Sequence, residues 1–238
     1  MITFAKLGKY GRIGNTMFQA ATTIALAHRN NDEYKFPRWD HSKDFNIPQD
    51  RFGKVHFTDT FNEPHFHYAG IPYKRDLNLM GYFQSYKYFQ DEDHIITPLL
   101  MPKVVIDKVD KVSIHVRRTD YLVHKGCYNI LNMGNYYERA MEASGGKKFL
   151  VFSDDIDWCK KHFIGNEFDF SEGERDIKDL SIMIACSGHI IANSSYSWWA
   201  AWLDKKGGKV IAPRAWFGPE LSPTHDTKDL LPEWWVKI

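Results

Sequence analysis

Val112-Ser113-Ile114-His115-Val116-Arg117 alternates apolar with polar residues, and that alternation decides the fold class. Successive side chains of a strand point to opposite faces, so Val112, Ile114 and Val116 share one face and Ser113, His115 and Arg117 the other. The strand ends on a charged cluster, His115, Arg117, Arg118 and Asp120. The same arrangement recurs downstream. Phe149-Leu150-Val151-Phe152 reads as a buried strand ending in Ser153-Asp154-Asp155, and Ile190-Ile191-Ala192 as another ending in Asn193-Ser194-Ser195. Val210-Ile211-Ala212 reads as a last strand, closed by Pro213. Helical spacing fills the gaps, over residues 136–143, through Ile177, Leu180, Ser181 and Ile184, and over 198–203. Strands alternating with helices predict a parallel α/β sheet, whose ligands bind at the carboxyl ends of the strands. Three polar clusters at such ends converge on one nucleotide pocket.

The first half opens in the same manner. Residues 2–7 read as a strand, followed by Gly8-Lys9-Tyr10-Gly11-Arg12-Ile13-Gly14-Asn15. Met17, Phe18, Ala21, Ile24, Ala25 and His28 then recur at helical spacing. Strand, Gly-rich loop and helix make a Rossmann-like opening, although the glycines are not G-x-G-x-x-G and no phosphate-loop motif is present. Pro37, Pro48, Pro64 and Pro72 break residues 36–80 into short strands and loops. Gly81-Tyr82-Phe83-Gln84-Ser85 reads as a strand end leading to a helix at Tyr86-Lys87-Tyr88-Phe89. The expected fold is α/β with two Rossmann-like domains facing a central cleft, residues 1–102 and 103–238, the latter with an irregular tail.

Composition narrows the function. With 31 Lys plus Arg against 30 Asp plus Glu in 238 residues, the chain is not a dedicated nucleic-acid binder. Three cysteines, Cys127, Cys159 and Cys186, give neither a disulfide framework nor a zinc motif. No stretch reaches the roughly 18 apolar residues of a membrane span. The expectation is a soluble intracellular protein, cytoplasmic if microbial or viral. The eight Trp serve either core packing or sugar stacking.

The clusters differ in chemistry. Arg117 and Arg118 offer planar forks of donors matched to phosphate oxygens, or else form a salt-bridge network with Asp120. Asn193-Ser194-Ser195 precedes a helix, where hydroxyls and backbone N–H groups receive an anion or simply cap. Asp154-Asp155 either binds ribose hydroxyls or caps the next helix through Trp158. A divalent ion is the rival use of that pair, but the acids are adjacent and two arginines already supply positive charge. No metal ligand is therefore assigned.

Gly11-Arg12-Ile13-Gly14-Asn15 with Met17-Phe18-Gln19, Gly81-Tyr82-Phe83-Gln84-Ser85 with Tyr88-Phe89, His115-Val116-Arg117-Arg118-Thr119-Asp120-Tyr121, and Ile191-Ala192-Asn193-Ser194-Ser195-Tyr196-Ser197-Trp198-Trp199-Ala200-Ala201 occur in one order. Together they resemble the α-1,2-fucosyltransferases of glycosyltransferase family 11, as far as about Trp216. The resemblance implies a GT-B fold, GDP-fucose as donor substrate held mainly by the second domain, inversion at the anomeric carbon, and no metal or other cofactor. It implies that His115 and Arg117 hold the GDP moiety and that Arg118 lies near the diphosphate or fucose. Ser194, Ser195 and Ser197 would contact phosphates, with Asn193 beside them, and Ser153 and Asp154 complete the donor set. Asp179 matches an acidic residue that reads guanine, and Gly14 and Asn15 would reach the donor from the first domain. Asp120 is the candidate base, with orientation of an arginine as its other role. The acceptor implied is a carbohydrate with terminal galactose, modified at O-2, with residues 1–102 as the acceptor side. Thr16 stands where Gln is usual, and Gly126-Cys127-Tyr128-Asn129 has no counterpart in the pattern. Two other readings stay open, a transferase using another nucleotide sugar and a non-catalytic glycan-binding protein. Oligomeric state is not legible.

Overall fold

A computed structural model describes residues 1–173 and 175–238. The chain forms two compact units, residues 1–103 with 224–232, and 104–223 with 233–238.

The first unit holds a four-stranded, all-parallel sheet of β1 (Ile2–Thr3), β2 (Tyr34–Lys35), β3 (Asp59–Asn62) and β4 (Leu77–Met80), in the order β2-β1-β4-β3. The strand expected over 2–7 is only two residues long, because the chain turns at Phe4, whose carbonyl accepts from Leu7 N, while Ala5 N donates to Asn78 Oδ1 at 2.9 Å. The glycine-rich loop leads into α1 (Ile13–Arg29). Nearly all of α1 from Ile13 to Ala27 is buried; its Ala and Thr residues let neighbours approach on every side. The helix expected at 86–89 is not an α-helix. A single 3-10 turn spans Tyr86–Tyr88, and α2 (Asp93–Leu100) follows. Residues 224–232 complete this unit. Buried Asp229 accepts from Lys87 Nζ at 2.6 Å and from Tyr68 N at 3.2 Å.

The second unit holds six parallel strands: β5 (Val109–Val116), β6 (Phe149–Ser153), β7 (Phe168–Phe170), β8 (Cys186–Ile190), β9 (Lys209–Ala212) and β10 (Val236–Lys237). Their order is β10-β9-β8-β5-β6-β7. Helices α3 (Thr119–Val123), α4 (Glu138–Ser144), α5 (Ile156–His162), α6 (Asp176–Ala185) and α7 (Ser195–Leu203) connect them, and a wide turn over Met133–Tyr137 leads into α4. β8 begins and ends earlier than the apolar run Ile190-Ile191-Ala192 predicts, because pairing with β5 fixes Gly188 opposite Val112 and Ile190 opposite Ile114. The tail contributes β10, where irregular chain is expected. Trp198, Trp199 and Trp202 are buried, and Trp198 stacks on Trp202 at 5.1 Å. For α7, therefore, the tryptophans are core.

Both faces of β5 are covered, as parallel sheets require. Its polar face is satisfied by hydrogen bonds. Ser113 Oγ lies 2.9 Å from His189 Nδ1, and His189 Nε2 lies 3.1 Å from Asp204 Oδ2. Serine, histidine and acid stand in line, yet Ser113 is 3% and His189 1% exposed. The serine also faces the nitrogen that a hydrolase gives to its acid. The line is an internal brace of the sheet.

Candidate functional site

The carboxyl ends of β5, β6 and β8 bring together the residues expected of a nucleotide pocket. His115 is 5% exposed, and burial lowers its pKa to about 4 against the opposing pull of Asp154. The imidazole is therefore neutral at pH 7. Nδ1 lies 2.9 Å from Ser197 Oγ, which itself lies 3.3 Å from the Ser194 carbonyl. A hydroxyl has one hydrogen to give. When Ser197 gives it to Ser194, His115 carries its hydrogen on Nδ1 and Nε2 is a bare acceptor; when Ser197 gives it to Nδ1, Nε2–H is a donor. The ring of Tyr196 flanks the imidazole at 5.6 Å.

The two arginines are held differently. Arg117 is bracketed by two carboxylates, Nη2 at 2.8 Å from Asp120 and Nη1 at 2.9 Å from Asp154. Its guanidinium lies 5.8 Å from the centre of the Tyr121 ring. Arg118 lies over the Trp158 indole at 3.9 Å and gives Nε to Asp155 at 3.0 Å. Its two η-nitrogens are left for other acceptors. A guanidinium stacked on a ring and tied at one nitrogen keeps a fork of donors fixed in direction.

Asp154 organises this corner. Oδ1 accepts from Arg118 N at 2.9 Å, and Oδ2 accepts from Thr119 Oγ1 at 2.6 Å as well as meeting Arg117. Asp155 serves as cap and ion-pair partner together, since Oδ1 accepts from Trp158 N at 3.2 Å. Ser153 Oγ supports that turn by accepting from Asp155 N at 2.9 Å. Through these contacts both acids shape the local backbone. The salt-bridge network is likewise present, and Arg118 retains free donors within it.

Asn193 is buried and clasps two loops, its Nδ2 donating to Asn129 O at 2.9 Å and Trp216 O at 2.8 Å. Its own carbonyl accepts from Tyr121 Oη at 2.8 Å. Tyr121 stacks on Tyr128 at 4.0 Å. The segment at 126–129 is thus fastened to residues 215–220, where Gly218 N donates to Cys127 O and Glu220 N to Gly126 O. Ser194 is the N-cap residue of α7 and Ser195 its first residue, and no side-chain cap bond forms at Ser194. Asp179, in the first turn of α6, accepts from Ser171 Oγ at 2.6 Å. Among the described residues, no group of three or more His, Cys, Asp or Glu is arranged to hold a metal ion.

The remaining expected residues, Gly14 and Asn15, belong to the first unit. There Asn15 Oδ1 accepts from Gln84 Nε2 at 2.8 Å. Gln19, fully buried, donates to the carbonyls of Tyr10 and Gly81 at 2.8 and 3.3 Å. Sequence reading gave no role to Thr119, Tyr121 and Tyr196, and met Trp158 only as the residue capped by the Asp154-Asp155 pair. Thr119, Tyr121 and Tyr196 lie within the quoted motifs, so their signal was present. It also passed over Glu63, which stands alone in a His- and Pro-rich stretch and carries no sequence signal.

A family model described as glycosyl transferase family 11 matches residues 55–237. The chain is 35% identical over 187 residues to an alpha-1,2-colitosyltransferase of Escherichia coli, covering 69% of this chain and 63% of the relative. It is 32% identical over 171 residues to the O-antigen biosynthesis glycosyltransferase WbnK of Escherichia coli, covering 60% and 56%. A galactoside 2-alpha-L-fucosyltransferase of Mus musculus, Sec1, is 24% identical over 271 residues, covering 94% and 71%. The matched region thus spans less than two thirds of the two bacterial relatives. No described helix is long and apolar enough to cross a membrane.

Proposed function

The chain belongs to glycosyltransferase family 11, and from that premise we propose that it transfers L-fucose from GDP-fucose to a sugar hydroxyl, O-2 of a terminal galactoside, with inversion and without a metal. A GT-B architecture is part of the proposal. The observation that carries it is Arg118, stacked on Trp158 and tied at Nε alone, with two η-nitrogens directed by that restraint. As the bond from the anomeric carbon to the diphosphate breaks, negative charge grows on the departing oxygens. Fixed donors stabilise such charge without reorganising. Arg117, already bracketed by Asp120 and Asp154, sets the shape and field of the corner. Neutral His115 offers one ring nitrogen to the nucleotide. Asp120 is given to Arg117, which favours its orienting role over that of base.

Release of GDP on incubation with GDP-fucose and a galactoside tests the reading, and product linkage is read by NMR. Failure to release GDP from any GDP-sugar overturns it. The 35% identity to an alpha-1,2-colitosyltransferase supports a second reading in which the donor sugar is colitose. Competition between the two donors separates these readings.

A further inference from the structure

Helix α5 is capped by Asp155 and carries Trp158 in its first turn and His162 at its end. Residues three and four apart share one face of a helix. The Arg118 guanidinium carbon lies 3.9 Å from the centre of the Trp158 ring. The His162 imidazole lies 3.9 Å from the same indole, at 19° to its plane. Neither group can then stand far from the ring axis, and two planar groups so placed would overlap on one face. Guanidinium and imidazole therefore cover opposite faces of the indole. His162 is fixed in turn, its Nδ1 lying 2.8 Å from the Trp158 carbonyl. A carbonyl only accepts, so Nδ1 carries the hydrogen. Trp158 also meets buried Phe163 in a T-shaped contact at 6.4 Å.

Asp155 joins the two ends of this stack. Its Oδ1 accepts from Trp158 N at 3.2 Å and its Oδ2 meets Arg118 Nε at 3.0 Å. The ring thus restrains the guanidinium across its plane, and the acid restrains it within that plane. An indole with both faces occupied cannot tilt without losing one of two contacts. Simple filling of space asks for neither the two-faced stack nor the shared carboxylate.

We propose that Trp158 and His162 are positioning residues that set the direction of the Arg118 fork, acting on transfer without touching a substrate. The role in transfer rests on the reading given above. A guanidinium is rigid, so fixing its plane and its Nε fixes both η-nitrogens. Preorganised donors stabilise a developing charge because they need not turn when it appears. A loosened Arg118 keeps its charge and still meets a diphosphate in the ground state, but meets the departing oxygens out of line. Loss of the platform therefore falls on kcat more than on donor binding.

Two measurements decide the proposal. The first needs no donor. The field of an indole shifts protons held over its face, so the Arg118 Nε–H signal in a proton–nitrogen correlation spectrum, identified by its loss in Arg118→Lys, should move in Trp158→Leu. Leu fills much of the space and offers no ring. A signal that stays in place overturns the stack. The second is kinetics with GDP-fucose and a galactoside, beside calorimetry of GDP. Trp158→Leu should lower kcat about 10²-fold with GDP affinity changed by no more than roughly threefold. Trp158→Phe restores a ring face and should recover about tenfold of that loss. His162→Ala uncovers the outer face and should lower kcat several-fold. Equal losses in kcat and GDP affinity, or Trp158→Phe no more active than Trp158→Leu, overturn the positioning role. If Trp158→Leu does not fold, as read by circular dichroism, His162→Ala decides at an exposed position, and an unchanged kcat there overturns the proposal. If wild type neither binds GDP nor releases it from GDP-fucose, the transferase reading fails instead and the role in transfer falls with it; the NMR result then decides the stack by itself.

Discussion

The two sheets share a design and differ in the chemistry of their carboxyl edges. Both are all parallel. In the second unit the edge is built from ion pairs, Arg117 between two acids and Arg118 against one, around a neutral histidine. In the first unit the Glu63 carboxylate is held by backbone N–H groups, amide side chains tie the loops, and the rings of Tyr10 and Tyr82 stack on each other. The arginine-bearing edge of the second unit offers fixed donors suited to a multiply charged anion. Two parallel sheets of different strand number and order therefore carry different chemistry at the same edge, and the difference lies in a few residues just past the strand ends.

The largest way to break this contrast is to remove the directed cation. Arg118→Ala should lower kcat/KM by about 10²–10³-fold while circular dichroism stays unchanged; near-normal turnover would sink the donor assignment. Asp154→Ala comes next. It strips one acid from Arg117 and the acceptor from Arg118 N and Thr119 Oγ1. We expect donor affinity to fall roughly tenfold and stability by about 1–3 kcal/mol, read by titration and denaturant melts. Unchanged affinity would show that Arg117 is set by Asp120 alone.

A smaller effect sharpens the comparison from the other side. The folded pKa of Glu63 is raised to about 7 from an ordinary 4.5. Its favourable contribution is therefore complete below about pH 4.5 and is lost as pH rises through about 7. Between pH 5 and 8 the wild type should lose up to about 3 kcal/mol more stability than Glu63→Gln, measured as the difference of two melting series. Parallel series would deny the burial argument. The smallest effect expected is none. Chelation with EDTA should leave transfer unchanged, and a strong dependence on added Mn²⁺ or Mg²⁺ would reverse the reading of the arginines.

The second unit was more legible than the first because its signals are local. Alternation marks β5, the polar triplets mark strand ends, and helical spacing marks α6 and α7. β8 was displaced because Cys186-Ser187-Gly188-His189 has no strand pattern, and only pairing with β5 makes it a strand. The clasp at Glu63 was invisible for a related reason. It joins residues 63, 82 and 83 across two strands, and neither a lone Glu nor a left-handed Phe83 leaves a trace in composition. Asp154 was seen as a site residue, but its three hydrogen-bonding duties are tertiary and could not be counted from sequence.

The segment 224–232 belongs to the first unit while the residues on either side belong to the second. Its Asp229 neutralises Lys87 and satisfies the Tyr68 amide. The gene therefore does not encode the first unit as one block. A single recombination crossover near codon 103 would transplant a module lacking Asp229, which forms an ion pair with Lys87 and accepts from the Tyr68 amide. Exchange of this unit between relatives needs two coordinated junctions, and chimaeras joined at one junction should be recovered less often as folded protein.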